Sequence, residues 1–167
     1  MSDVRVRAAR LGDGAGCARV WLDAARYYAA LDPESFQVPS EVGLADWFDQ
    51  IHARSGPDQL RLVATVGQDV AGLLSAVLHP ASADAHRAMM RVQGFPSVYV
   101  GALAVAERYR RIGIGTALME EVERWGRERG AALVSLDTNL RSPLSVPFYE
   151  QRMGYLRHAV IFQKSLE

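Results

Sequence analysis

The chain of 167 residues has a single cysteine, Cys17, so no disulfide can form within it. It has no net charge, with 19 basic residues against 19 acidic ones. That balance excludes a global field drawing it to nucleic acid or a membrane surface, and neither is expected as a partner. No apolar run is long enough to span a bilayer. The opening residues Met1-Ser2-Asp3-Val4-Arg5 lack the apolar centre of a signal peptide, which makes a cytoplasmic location the expectation. Repeats, low-complexity tracts and linkers are also missing, and the length points to one domain over residues 1–167 with a sizeable core. His52, His79, His86 and His158 show no ligand spacing, so no metal is expected.

What is present is a regular alternation of strand and helix patterns. Val4 to Ala8 alternates apolar and charged residues, as a short strand does. Asp13 is placed to N-cap a helix in which Cys17, Val20, Trp21, Ala24, Tyr28 and Leu31 recur at helical spacing, ended by Asp32-Pro33. A second helix is predicted from about Ser40 to Arg54. Leu60–Val66 and Val70–Leu78 flank Gly67-Gln68-Asp69 and read as an antiparallel hairpin. Residues 79–96 are weakly patterned and long for a connection, which suits a lid or a subunit contact. Val98–Val105 is a strand, Ile114–Arg129 a helix with Gly130 as its C′ residue, and Ala132–Leu136 a buried strand reached by a parallel crossover. A short helix carries Phe148, Tyr149 and Gln151. Pro147 forces an irregular entry over Ser142–Val146, and Tyr155–Gln163 is predicted as the last strand.

The chemistry is concentrated where the Val98–Val105 strand meets the next helix, at Arg110-Arg111-Ile112-Gly113-Ile114-Gly115-Thr116. A helix's first turn presents backbone N–H groups without partners at the positive end of its dipole. Gly113 and Gly115 have no Cβ to keep a bulky anion away, and Arg110 and Arg111 add charge. The expected ligand therefore carries phosphates. The run is not a dinucleotide fingerprint, because Leu118 stands at the third glycine position. Nor is it a P-loop, because no Gly-Lys-Ser/Thr follows. Read without its context, it is a glycine-rich turn with solvated arginines.

With that context, Leu103-Ala104-Val105 before the loop and Pro147-Phe148-Tyr149-Glu150 one crossover after it, ahead of Met153-Gly154-Tyr155, the chain resembles the GCN5-related N-acetyltransferase (GNAT) family. The loop Arg-x-x-Gly-x-Gly is met without gaps. The likeness runs most clearly from Val98 to Tyr155, and the N-terminal helices and hairpin suit the same fold. The resemblance implies an α/β fold: a mixed, mostly antiparallel sheet with helices on both faces and a V-shaped split. In it the Val98–Val105 strand carries a bulge and splays from Ala132–Leu136.

The implied co-substrate is acetyl-CoA. Its pantetheine arm would enter the split and pair along Leu103, Ala104 and Val105, chiefly with the backbone of Leu103 and Val105. Its pyrophosphate would lie on the amides from Arg111 to Thr116, including Ile112 and Ile114. A backbone N–H near Leu103 would polarise the thioester carbonyl. Tyr149 matches a tyrosine that protonates the departing thiolate in many relatives; the bland alternative is that it packs beside Phe148. Asn139 or Ser142 could supply a further cofactor contact, and Ser142 could equally cap a helix.

An amine acceptor must lose a proton before it attacks, and the strand before the loop carries no carboxylate. Glu107 lies past the strand beside the loop and reads as solvated; a water chain, Tyr99, Glu34, Glu41 or Asp46 are the candidates, unranked. Cys17 lies on an apolar helix stripe and reads as core packing rather than as a nucleophile. Direct attack in a ternary complex is expected, with a small-molecule primary amine as acceptor. The alternatives are a protein N-terminal or lysine acetyltransferase and a non-catalytic acyl-CoA-binding sensor or subunit. A homodimer is common among such relatives.

Overall fold

The structure, a computed structural model, describes residues 3–166. The chain forms two compact units, one ending at Asp137 and one beginning at Thr138. The first contains β1 (Val4–Ala8), α1 (Gly14–Leu31), α2 (Leu44–Ala53), β2 (Gln59–Val66), β3 (Asp69–His79), β4 (Ser97–Val105), α3 (Ile114–Glu128) and β5 (Leu133–Ser135). The strands make one sheet in the order β1-β2-β3-β4-β5. Neighbours are antiparallel except β5, which runs parallel to β4.

Alternation along the strands sends apolar side chains to two faces. On one face Cys17, Ala18 and Val20 of α1 and Phe48 of α2 pack on Val63, Val70, Leu73 and Ala104. The alternate face takes α3, whose Ile114, Leu118, Met119 and Val122 are almost wholly buried. Gly72 allows that helix its approach: a Cβ there would stand 2.8 Å from Ile114 Cγ2 and 3.1 Å from the Ala104 carbonyl oxygen. Helices therefore cover both faces, as the family resemblance implies. No helix among the described residues is long and apolar enough to cross a membrane.

Two helix starts differ from the sequence reading. Asp13 precedes α1, but its side chain makes no cap bond. Its carboxylate instead takes both guanidinium nitrogens of Arg7, at 2.6 and 2.7 Å, and the Arg10 N–H at 2.9 Å. The cap comes from α2, where Asp49 Oδ1 accepts the N–H groups of Gly12 and Gly14 at 3.0 and 2.9 Å. Helix α2 begins at Leu44 rather than near Ser40. Ser40 Oγ turns the chain by accepting the Val42 N–H, and Gly43 enters the left-handed region at φ 76° just before the helix.

Asp13 is buried, which pushes its carboxyl upward, but the Arg7 hydrogen bond, the Arg10 N–H and the nearby positive charges outweigh that and hold it below the usual range. A carboxyl lowered on folding stabilises the fold above its unfolded pKa and ceases to as pH falls through its folded one. Asp13→Asn should therefore cost about 3 kcal/mol at neutral pH by leaving a half-buried guanidinium unpaired. In urea titrations the gap to the native chain should narrow below about pH 4. A gap that is constant with pH would show that the ion pair is not its source.

The final strands are also corrected. The β5 ladder holds three residues, Leu133–Ser135, and Leu133 and Ser135 are exposed, so it is not the buried strand expected over Ala132–Leu136. It is the outermost strand, with no further strand beside it among the described residues.

In the second unit a single helical turn, α4 (Ser145–Pro147), continues as a π-turn over Phe148–Arg152, closed by the Met153 N–H on the Phe148 carbonyl at 3.0 Å. Pro147 has no N–H to bond back toward residue 143, which limits regular bonding at the entry to this turn. Tyr155–Gln163 joins no ladder among the described residues, and Leu156, Ile161 and Phe162 are exposed. The alternation that suggested a strand specifies only which side chains share a face. A strand also needs a neighbour to satisfy its N–H and C=O groups.

Candidate active site

Strand β4 has a free edge. It pairs with β5 only at Ser97, Val98 and Tyr99, opposite Leu133, Val134 and Ser135. Beyond Tyr99 it continues to Val105 with no strand on that side among the described residues. On its other side the register with β3 shifts between Ser75 and Ala76, whose partners are Ala102 and Val100, so Gly101 is an extra residue. This is a β-bulge, which bends and twists its strand. The bulge and the parting of β4 from β5 are the V-shaped split that the resemblance implies.

Ladder parity decides which main-chain groups face the split. The Ala106 N–H bonds the Ala71 carbonyl of β3 at 2.9 Å. Alternation then turns Ala104 toward β3 as well, and turns Leu103 and Val105 away from it. The Val105 carbonyl does not bond β3 but accepts Arg110 Nε at 3.2 Å. Two residues of extended backbone thus present N–H and C=O groups to the open side.

The chain from β4 to α3 is anchored along its length. Asp23 of α1 accepts the Glu107 N–H at 2.6 Å, and Asp69 accepts Arg108 at 3.0 Å and the Tyr109 hydroxyl at 2.7 Å. Arg110 lies over the Tyr27 ring at 5.4 Å. Arg111 then adopts φ 65°, alone among the described non-glycine residues in having positive φ, and Gly113 adopts φ 90°. For Arg111 that conformation costs about 1 kcal/mol. Left-handed residues in so short a run turn successive N–H groups into a concavity suited to an anion. Gly113 precedes α3 with no side-chain cap, and the first regular bond is from the Ala117 N–H to its carbonyl at 2.9 Å. The amides of Ile114, Gly115 and Thr116 therefore emerge from the helix end. Arg111, Ile112 and Gly113 are exposed.

On the α1–α2 side of the sheet, beside Ala102 and Ser75, is a small open recess of about 90 Å³. Trp21, Trp47, Phe48, Ile51 and His52 line it from the helices. Phe48 meets Trp21 and Trp47 edge-on, with centroids 6.3 and 5.0 Å away. Burial pushes the His52 imidazole's pKa down, and its buried Nδ1 has no hydrogen-bond partner among the described residues.

Tyr99 was one candidate base. In the structure its hydroxyl donates to Asp137, and that bond, with burial and the carboxylate's charge, pushes its pKa up. A phenol that holds its proton more tightly is not a base at neutral pH. Asp137 itself was missed, because a lone carboxylate after an apolar run carries no local signal. Glu34, Glu41, Asp46 and Glu107 are exposed. Cys17 is fully buried, and burial, with Asp13 and Asp49 nearby, pushes its thiol up to about 12, which makes it inert at neutral pH. No group of metal-ligating side chains occurs among the described residues.

The second unit carries the other predicted residues. Asn139 Oδ1 accepts the Arg141 N–H at 2.8 Å, and buried Ser142 accepts the Ser145 N–H at 3.0 Å, so both side chains organise the turn into α4. Tyr149 sits in the π-turn, its ring 5.1 Å from Phe148 and 6.0 Å from Tyr155.

The profile of the acetyltransferase (GNAT) family matches residues 21–155. An acetyl transferase from Oryza sativa subsp. japonica, GW6a, is 31% identical over 110 residues, which is 61% of this chain and 25% of that protein. The chain thus spans about a quarter of the length of that curated relative. Among solved structures, a transcriptional regulator from Bacillus halodurans C-125 superposes with TM-score 0.73 at 21% identity, covering 98% of this chain and 100% of that one. An aminoglycoside acetyltransferase from an uncultured soil metagenomic sample superposes with TM-score 0.66 at 18% identity, covering 99% of each. At these identities the two structures establish a shared fold.

Proposed function

The chain belongs to the acetyltransferase (GNAT) family, and from that premise we propose that it moves the acetyl group of acetyl-CoA to a primary amine of a small molecule by direct attack in a ternary complex. The observation that carries this reading is the continuity of the open β4 edge with the uncapped start of α3. The main-chain groups of Leu103 and Val105 suit the two amides of a pantetheine arm, taken as an extra strand. The amides from Arg111 to Thr116, with the Arg110 and Arg111 charges, suit a pyrophosphate. Acetyl-CoA supplies an acyl carbon activated by a thiolate leaving group. The chain's own parts do the rest: the Leu103 N–H stabilises charge on the carbonyl oxygen, and Tyr149 protonates the sulfur as it leaves.

The recess beside Ala102 supports a small acceptor rather than a protein segment. Ala102, next in sequence to the bulged Gly101, lines it, and Trp21, Trp47 and Phe48 offer an apolar surface to the body of an amine. The likeness to an aminoglycoside acetyltransferase supports an amine-bearing small molecule as a class. Asn139 and Ser142 serve the cofactor by fixing the turn that leads to Tyr149.

Release of free thiol from acetyl-CoA, measured against alkylamines, arylalkylamines, polyamines and aminoglycosides, tests the reaction. Amine-dependent release is expected with at least one of these classes. Tight coenzyme A binding without release on any amine would favour a sensor instead.

A further inference from the structure

Acetyl transfer to an amine that arrives as ammonium requires a base, and β4 contributes no carboxylate along Ser97–Val105. We propose that Asp137 is that base, held across the mouth of the split by the hydroxyl of Tyr99; this rests on the acetyl-transfer reading above. Ladder register carries the argument. Tyr99 is the last β4 residue paired with β5, opposite Ser135. Asp137 follows Ser135 by two residues, as the bulged Gly101 follows Tyr99, so both lie just past the end of the ladder. The Tyr99–Asp137 hydrogen bond is the first connection beyond the final rung and joins residues 38 apart in sequence.

The carboxylate is thus held by Tyr99 just past the end of the β4–β5 ladder, and it is exposed. Tyr99 shares a face with Gly101, whose Cβ position lies 3.9 Å from Tyr99 Cε1 and 3.8 Å from Ser75 Oγ. Ser75 also lines the recess. An amine seated there would meet the carboxylate on the way to the split. Tyr99 is a positioning residue. As a donor it occupies part of the carboxylate's accepting capacity and leaves lone pairs for the amine. Tyr99 is the titratable side chain that hydrogen-bonds Asp137 among the described residues.

The step balances. Asp137 takes one proton from the ammonium and passes it to water. The freed lone pair forms the C–N bond while the C–S bond breaks and sulfur keeps its electron pair. Tyr149 protonates that sulfur, and the second proton shed by nitrogen returns to the Tyr149 phenolate through water. The sum is one acetamide, one free thiol and one proton.

Asp137→Asn, Asp137→Glu and Tyr99→Phe test this with whichever panel amine the native chain turns over. Asp137→Asn should lower kcat/KM about thirtyfold at pH 7, near the low end of what a positioned base contributes. The deficit should shrink as pH rises toward the amine's own pKa, because free amine needs no base. Asp137→Glu should recover part of the loss, and Tyr99→Phe should lose less than Asp137→Asn with a smaller change in KM than in kcat. Coenzyme A affinity by calorimetry and the melting temperature should be unchanged in all three. Asp137→Asn at native rate, or with a deficit that does not vary with pH, overturns the assignment while leaving the acetyl-transfer reading intact. A native chain that releases thiol with no amine overturns both.

Discussion

Gly113→Asn should weaken coenzyme A binding about a hundredfold while the chain still folds. Gly113 has φ 90°, and a Cβ built on it meets nothing within 4 Å, so a side chain there disturbs no packing. Asparagine accepts left-handed backbone better than most residues, which keeps the folding cost small. The new side chain would instead stand in the concavity formed with Arg111 and over the amides of Ile114 to Thr116. Losing charge-assisted hydrogen bonds from those amides costs about 3 kcal/mol, which corresponds to roughly a hundredfold in affinity. Gly113→Ala should lie between the two, since its Cβ is smaller but its backbone preference worse. Calorimetry for binding and thermal melting for folding separate the effects. Native affinity in a well-folded Gly113→Asn chain would mean that the phosphates lie elsewhere.

Tyr149→Phe should lower turnover about a hundredfold, within the range of a lost general acid, and change coenzyme A affinity less than threefold. The ring is held by packing that phenylalanine retains: Phe148 and Tyr155 lie edge-on to it, and the Tyr149 carbonyl takes the Tyr155 N–H at 2.9 Å. The substitution therefore removes the hydroxyl and keeps these ring contacts. If the acid is needed to expel thiolate, a thioester with a more acidic thiol should suffer less. Unchanged turnover would remove Tyr149 from the chemistry and leave it as a packing residue of the π-turn.

The parts of this molecule that could be read from its sequence are those whose determinants lie close together in the chain. Helix α3 is specified by its apolar stripe from Ile114 to Trp125 and ends near Gly130, at φ 71°. The Arg110–Thr116 loop, proposed above to hold phosphates, is one unbroken run, so its glycines and arginines stand out in the sequence alone. Pro147 announced the irregular entry to the Tyr149 turn because a missing N–H is a local fact.

Features that depend on distant partners were misread or missed. The apolar run at Ala132–Leu136 suggested a buried strand, but β5 exists only where β4 pairs with it, for three residues. Tyr155–Gln163 alternates as a strand does and has no neighbouring strand among the described residues. Asp13 is a favourable cap residue, but Arg7 takes its carboxylate and Asp49 caps the helix from a different element. The Tyr99–Asp137 pair was invisible for the same reason: it is created by the register of a parallel crossover. The proposed phosphate end of the site rests on local chemistry, and the proposed acceptor end rests on ladder geometry.

Amide hydrogen exchange, followed residue by residue with and without coenzyme A, bears most directly on the central claim that main-chain groups of β4 and the start of α3 hold this ligand. Slowed exchange at Leu103 and Val105, together with Gly113 to Thr116, is the expected result. Slowing confined to other segments, or none at saturating coenzyme A, would contradict it.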